Sequence, residues 1–254
     1  MRPLSLLFLL FLLLGCTPAQ ARPRVEVAVI DRDEGRMVAQ YPHRGERWIA
    51  GLPGHRYAVR LTNTTGERVL VVLSVDGINA VTGETAHPAQ TGYVLDPWET
   101  AEISGWRKSL EDVAQFVFTD HADSYATRTG RPRNAGVIGI AVFAERAHEV
   151  YSPATAREES AQDAAAAAPR SGSAKSERAN AHSQRLGTGH GEREWSPVGS
   201  TAFERASRQP VQISEIRYDA PRRLIALGIL PGRPRYPADA PRAFPQGFVA
   251  DPPR

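Results

Sequence analysis

The chain has almost no cysteine and almost no lysine. Cys16 is the single cysteine among 254 residues, which excludes a disulfide within the chain and zinc sites built from paired cysteines. Only Lys108 and Lys175 of the 31 basic residues are lysines, a bias that the base composition of the gene explains. The arginines are scattered among acidic residues instead of forming a basic stripe, so we expect no nucleic-acid partner.

The chain also lacks the short motifs typical of enzymes. It contains neither an H-E-x-x-H metal motif nor a G-x-S-x-G serine motif. The glycine-rich residues 187–191 do not end in the Gly-Lys-Ser/Thr sequence of a phosphate-binding P-loop. We therefore predict no catalytic residue, no metal and no cofactor. Because a Ser/His/Asp triad can be assembled from distant loops, an enzyme stays open as an alternative.

The N-terminal residues 1–21 are typical of an export signal. Their apolar run, residues 4–14, is too short to span a bilayer core of about 30 Å. Residues 13–16, Leu-Leu-Gly-Cys, resemble a bacterial lipobox, in which Cys16 would be lipidated. Residues 19–21, Ala-Gln-Ala, fit ordinary signal peptidase instead. We prefer the lipobox because the single cysteine lies where lipidation needs it. It predicts an outer-membrane lipoprotein held by its lipid anchor on the periplasmic side; the alternative is a soluble periplasmic protein.

Short apolar runs separated by turn residues dominate residues 22–146. Val69–Val75 is β-branched, too short for a typical helix and followed at once by Asp76-Gly77, which predicts a buried strand that ends in a tight turn. Eight such strand candidates lie between residues 25 and 145: 25–30, 36–41, 55–61, 69–75, 92–95, 100–104, 113–119 and 136–143. This pattern indicates an all-β domain, an antiparallel β-sandwich or small barrel.

The composition changes after the sandwich domain. Residues 147–185 are rich in alanine, serine and charge, which predicts a disordered linker. In residues 186–230, two apolar runs at 211–218 and 223–229 predict a hairpin. The apolar phase slips between Ile213 and Ile216, which suggests a β-bulge. Because a lone hairpin is marginally stable, we expect it to return and pack on the sandwich. Residues 231–254 are proline-rich and read as a disordered tail.

Four segments of the chain resemble a group of uncharacterised exported proteins of proteobacteria. The segments are VLSVDGINAVTGETA, GYVLDPWETAEISGWRKSLEDVAQFVFT, SYATRTGRPRNAGVIGIAVF and LGTGHGEREWSPV. The resemblance covers most of residues 45–230. It implies export and a shared fold, but it implies no activity and carries no catalytic residues.

Aromatic and basic side chains in the connections between strands are the best candidates for binding. The candidate residues are Trp106, Arg107, Tyr125, Arg128 and His190. Such groups suit a carboxylate, a glycan or a partner protein. The simpler interpretation is that the tryptophan fills the core and that the arginines pair with Glu102, Glu111 and Asp112.

Two functional hypotheses follow. The preferred one is a non-catalytic protein of the cell envelope that binds or supports other envelope components, with an envelope protein or a glycan as its partner. The alternative is a periplasmic hydrolase or metal-dependent enzyme whose site lies in loops 77–90, 120–134 and 187–191. An aromatic patch with unpaired arginines favours binding, whereas histidines and carboxylates clustered in those loops favour an enzyme.

Overall fold

A computed structural model of the chain describes residues 22–147 and 184–232. The predicted export signal with its lipobox lies outside the described residues. So do nearly all of the predicted linker and nearly all of the predicted tail.

The described residues form fourteen strands and two short α-helices, numbered here along the chain. The strands are β1 (Val25–Asp31), β2 (Arg36–Met37), β3 (Gln40–His43), β4 (Glu46–Ala50), β5 (Arg56–Asn63), β6 (Val69–Val75), β7 (Ile78–Asn79), β8 (Tyr93–Leu95), β9 (Thr100–Ile103), β10 (Gly105–Arg107), β11 (Asp112–Asp120), β12 (Val137–Ala144), β13 (Leu186–Trp195) and β14 (Gln212–Asp219). The helices are α1 (Tyr125–Arg128) and α2 (Pro221–Ala226), and single 3-10 turns at His121–Asp123 and Pro132–Asn134 flank α1.

The strands make two seven-stranded sheets that face each other. Sheet A has the order β10-β11-β5-β1-β2, with β13 on β11 and β9 on β5. Sheet B has the order β3-β4-β14-β12-β6-β7, with β8 on β6. The sheets do not close into a barrel, so the predicted all-β class and the sandwich are confirmed, and the small-barrel alternative is wrong.

Apolar side chains from both sheets fill the space between them. In sheet A, the ring of Tyr57 stacks on Phe118 with 4.2 Å between centroids and lies 5.3 Å from Phe116. The apolar run that forms β6 is buried on both faces. Its odd-numbered residues face the main core, while Leu70 and Val72 belong to a second apolar cluster, against which Phe203 packs on the outer side.

The Asp76-Gly77 turn forms as the sequence predicts. Val75 pairs with Ile78, so the turn is a two-residue hairpin loop. Both loop residues have positive φ, 54° at Asp76 and 72° at Gly77, which is the backbone of a type I′ turn. Aspartate and glycine are residues that reach this region at low cost.

The predicted C-terminal hairpin does not form. Its first predicted strand, residues 211–218, is β14, which lies between β12 and β4 in sheet B instead of pairing with residues 223–229. Strand β13, which precedes β14 in the chain, pairs with β11 in sheet A. Residues 187–191, expected to be a loop, lie within β13. Their glycines allow close packing there, since a Cβ at Gly187 would lie 2.5 Å from Ser124 and one at Gly191 would lie 2.8 Å from Val117.

The second strand of the predicted hairpin is the helix α2. Pro221 occupies the start of this helix, where its missing N–H costs no hydrogen bond. Gly228, with a φ of 72°, follows its C-terminal end. Within the helix only Leu224 is buried, so the run of apolar residues is an amphipathic turn of helix and not a strand.

The predicted β-bulge in β14 is also absent. The register of β14 with β12 is continuous from Gln212 to Arg217. The apolar phase slips because Gln212, on the inner face, exchanges two hydrogen bonds with the main chain of Val25, at 3.0 and 2.8 Å.

No helix among the residues that the structure describes is long and apolar enough to cross a membrane.

Candidate binding site

Three of the predicted site residues place their rings in tilted contact with one another, with interplanar angles of 47° and 42°. The ring of Tyr125 lies 5.1 Å from Trp106 and 5.4 Å from His190, centroid to centroid. Trp106 is only 2% exposed and packs edge-on against Phe116 at 4.8 Å. Trp106 therefore belongs to the core and packs against the inner side of Tyr125. Tyr125 itself is half-buried, and His190 is exposed.

Local structure fixes the positions of the two outer rings. In β13, Leu186, Thr188 and His190 share one face of the strand; the first two are buried, and His190 comes out at the rim. Tyr125 begins α1, which is capped by Ser124, whose hydroxyl accepts a hydrogen bond from the Thr127 N–H at 3.2 Å. The strand and the capped turn thus bring the rings together.

Two cations, Lys108 and Arg128, lie near enough to His190 to act on its charge. Partial burial, together with the positive charges of Lys108 and Arg128, lowers the pKa of His190 below its ordinary value. The imidazole is therefore neutral at neutral pH, and the surrounding charge comes from the lysine and the arginine. We call Lys108, Tyr125, Arg128 and His190 the aromatic–basic surface.

Of the two cations in the aromatic–basic surface, Arg128 was expected to pair with one of the acids Glu102, Glu111 and Asp112, and it does not. Among the described residues, neither Lys108 nor Arg128 makes a salt bridge. Glu102 pairs instead with Arg60 at 2.6 Å, and Asp112 has Arg193 at 3.9 Å. The simpler interpretation thus holds for the buried tryptophan but not for Arg128.

Arg107 serves a different purpose from the other predicted residues. Its guanidinium donates to the carbonyl oxygen of Ser196 and to the Ser196 hydroxyl, the latter at 3.0 Å. Residues 196–201 run on from β13, and the Val198 N–H donates to the Leu110 carbonyl at 2.8 Å. Arg107 therefore anchors this strap and does not point into the aromatic–basic surface.

A cleft of about 840 Å³ lies beside the strap, between β8 and β9. Aliphatic groups such as Ile103 and Val198 line it together with Tyr93, Arg107 and Lys108. Lys108 belongs to both the cleft and the aromatic–basic surface, so the two adjoin. The volume falls within the range of about 300–1,000 Å³ typical of ligand pockets.

A second groove of about 430 Å³ lies on the outer face of sheet B. Its floor includes Gly139 and Ala141, and its rim includes His87, Arg133 and Ile213. A Cβ at Gly139 would meet nothing closer than 3.9 Å, so packing within the chain does not require this glycine. None of the five candidate binding residues lines this groove, but residues of loops 77–90 and 120–134 do.

One cluster among the described residues has the residue types of a metal site. Asp31, Asp33 and His55 offer ligand atoms within 4.8 Å of one another. Each carboxylate is already hydrogen-bonded: Asp31 accepts from two main-chain N–H groups at 3.0 Å and contacts His55 at 2.8 Å, and Asp33 pairs with Arg56. These hydrogen bonds stabilise the turn after β1, and this structural role explains why the three residues lie together.

The three loops proposed for an enzyme come close together: a Cβ at Gly77 would lie 2.6 Å from Asn134, and one at Gly187 would lie 2.5 Å from Ser124. A buried network centred on Asp76, just before the first loop, lies beside them. Asp76 accepts hydrogen bonds from the N–H of Gly136 at 2.8 Å, the N–H of Thr188 at 2.6 Å and the hydroxyl of Tyr218 at 2.6 Å. The hydroxyl of Thr188 contacts those of Tyr218 at 2.6 Å and Tyr57 at 2.5 Å. These five residues, the Asp76 network, are all buried. The sequence pointed to Asp76 only as a turn residue.

Comparison with known proteins gives no relative: no protein family, no curated protein and no solved structure matches the chain.

Proposed function

We propose that the protein is a non-catalytic component of the cell envelope that binds an anionic envelope partner at the aromatic–basic surface. The partner is an acidic glycan or an acidic segment of an envelope protein. The observation that carries the proposal is the pair of exposed cations, Lys108 and Arg128, near the tilted ring pair of Tyr125 and His190. Rings offer a flat face to a sugar or a side chain, and cations supply charge-assisted hydrogen bonds to carboxylates.

The adjoining cleft supports the same proposal. A ligand whose carboxylate reaches Lys108 has an 840 Å³ cleft next to it. The cleft mixes aliphatic side chains with the hydroxyl groups of the strap, and such a lining suits a sugar or peptide chain better than a purely apolar ligand. Arg107 holds the strap in place through Ser196. Because Lys108 is the next residue in the chain, the position of the strap and that of Lys108 are linked.

The proposed location rests on the sequence. The export signal and the lipobox at Cys16 support an outer-membrane lipoprotein that faces the periplasm, and cleavage after residue 21 would give a soluble periplasmic form. In the first case the lipid anchor supplies the membrane contact, with two acyl chains for stable attachment.

Binding to model polyanions tests the proposal. Isothermal titration calorimetry at low and moderate salt would measure binding of polygalacturonate, an acidic glycan, and of polyglutamate, an acidic peptide, with dextran as the neutral probe. We expect one of the polyanions to bind and dextran not to bind. Lost hydrogen bonds to charged groups are each worth about 1.5–3 kcal/mol, so the double variant K108Q/R128Q should weaken binding by about 100-fold or more.

A matched variant separates a specific site from general charge. Arg208 is exposed and, among the described residues, makes no salt bridge. R208Q removes one positive charge elsewhere on the molecule and should change the affinity less than about twofold. Equal losses for R208Q and for either single variant, K108Q or R128Q, would refute a site at the aromatic–basic surface.

A further inference from the structure

The carboxylate of Asp76 is buried without a counter-charge. Its side chain faces two main-chain N–H groups, of Gly136 and Thr188, and the phenol of Tyr218. No arginine, lysine or histidine of the described residues contacts it. A buried carboxylate without a cation is costly when ionised, because protein solvates the charge less well than water does.

The hydroxyl groups of the Asp76 network form a chain that ends at Tyr57. With Asp76 ionised, each hydroxyl has an acceptor: Tyr57 donates to Thr188, Thr188 to Tyr218, and Tyr218 to the carboxylate. With Asp76 protonated, its O–H donates to Tyr218 and the direction of the chain reverses. Burial raises the pKa of both tyrosines well above the ordinary value, so they stay neutral phenols.

The network joins parts of the fold that are distant in sequence. Thr188 and Tyr57 belong to sheet A, Tyr218 belongs to sheet B, and Asp76 lies in the turn after β6. Thr188 is two residues from His190 in β13, so the same strand carries one residue of the network and one residue of the aromatic–basic surface.

We propose that the Asp76 network is a proton-controlled clasp between the two sheets, which stabilises the fold more while Asp76 carries a proton, because the ionised carboxylate is buried there without a counter-charge. The clasp is a property of the fold and does not depend on whether the aromatic–basic surface binds anions.

The direction of the pH effect follows from the two opposing influences on Asp76. Burial raises the pKa of Asp76, the hydrogen bonds lower it, and burial dominates, so the pKa is about 6 instead of 3.8. Between these two values the folded protein binds more protons than the unfolded chain, so stability falls as the pH rises. The difference between the two pKa values corresponds to about a 100-fold change in the unfolding equilibrium constant. This stabilisation of the folded state is lost by the time the pH passes about 6.

Thermal unfolding of the full chain from pH 4 to pH 7.5 tests the clasp. Asp76→Asn keeps the shape and tolerates positive φ, but it cannot titrate. As the pH rises from 4 to 7.5, the wild type should lose stability that D76N does not lose. The melting temperature of D76N minus that of the wild type should therefore increase by roughly 6–12 °C. Burial also raises the pKa of Asp219, but that residue is present in both proteins and cancels in the difference.

A control variant and a direct titration complete the experiment. Asp123→Asn changes an exposed carboxylate and should follow the wild type at every pH. In the wild type, carbon-13 NMR of the Asp76 carboxyl should titrate with a midpoint near 6, and Tyr218→Phe should raise that midpoint. A constant difference between D76N and wild type, or a midpoint below about 4, would overturn the proposal. The NMR midpoint decides the matter if D76N does not fold.

Discussion

Two isoleucines in β14 offer a sharp test of the fold. Ile216 is 1% exposed and faces the core, whereas Ile213 is 64% exposed on the outer face of the same strand. An isoleucine-to-alanine change removes the same atoms at both positions. Any difference in cost therefore reports the side of the sheet on which each residue lies, and not the chemistry of the substitution.

The expected costs differ several-fold. Ile216→Ala removes buried carbon atoms from a packed core, which costs about 2–5 kcal/mol in the free energy of unfolding. A chain of this size loses about 2–4 °C in melting temperature per kcal/mol, so a mid-range cost lowers the melting temperature by about 10 °C. Ile213→Ala, at an exposed position, should stay within about 0.5 kcal/mol of the wild type.

Urea unfolding followed by circular dichroism gives the comparison at constant pH. The midpoint should fall for I216A with an unchanged m-value, which indicates a change in stability and not in the extent of unfolding. If β14 were shifted by one residue, its faces would exchange, and I213A would be the costly variant. A cost for I213A equal to or above that of I216A would refute the register described here.

Three further predictions concern the surface, the packing and the anchor. Lys108→Gln should raise the pKa of His190 toward its ordinary value, seen by proton NMR of the imidazole; an unchanged pKa would show that the two are not neighbours. Gly105→Ala should destabilise the fold by about 3 kcal/mol, because its Cβ would lie 2.0 Å from a main-chain oxygen of β11, whereas Gly139→Ala should be tolerated, since its Cβ has 3.9 Å of space. Mass spectrometry of the mature protein should find a diacylglyceryl group on Cys16, and a mature chain that starts at residue 22 would contradict this.

The sequence predicts best those strands in which one rule determines the residue pattern. The run that forms β6 is apolar because both of its faces are buried, and alternation marks β5 from Arg56 to Asn63. The Asp76-Gly77 turn is predictable because few residues accept its backbone. In each case the local sequence and the tertiary structure require the same residues.

Where tertiary contacts replace local patterns, the sequence misleads. Residues 187–191 of β13 indicate a loop because glycines weaken a strand in isolation, yet here they allow close packing against β11 and Ser124. In β14 the inward-facing residue Gln212 is polar because its side chain is hydrogen-bonded to the main chain of Val25, the first residue of β1. The tilted contact of Tyr125 with His190 joins residues on different elements, so the sequence supplied the two residue types but not their contact.

The position of β14 in sheet B bears on how the chain folds. β4 ends at Ala50, but its parallel neighbour β14 begins only at Gln212. Contacts between such distant parts of a chain slow folding, because a long loop must close before they form. Until β14 is synthesised, β4 and β12 each have an unpaired edge, and the sheet cannot be completed. The nascent protein therefore cannot complete its two sheets until synthesis has passed β14, so the fold itself sets a long interval during which the chain is made but not yet native.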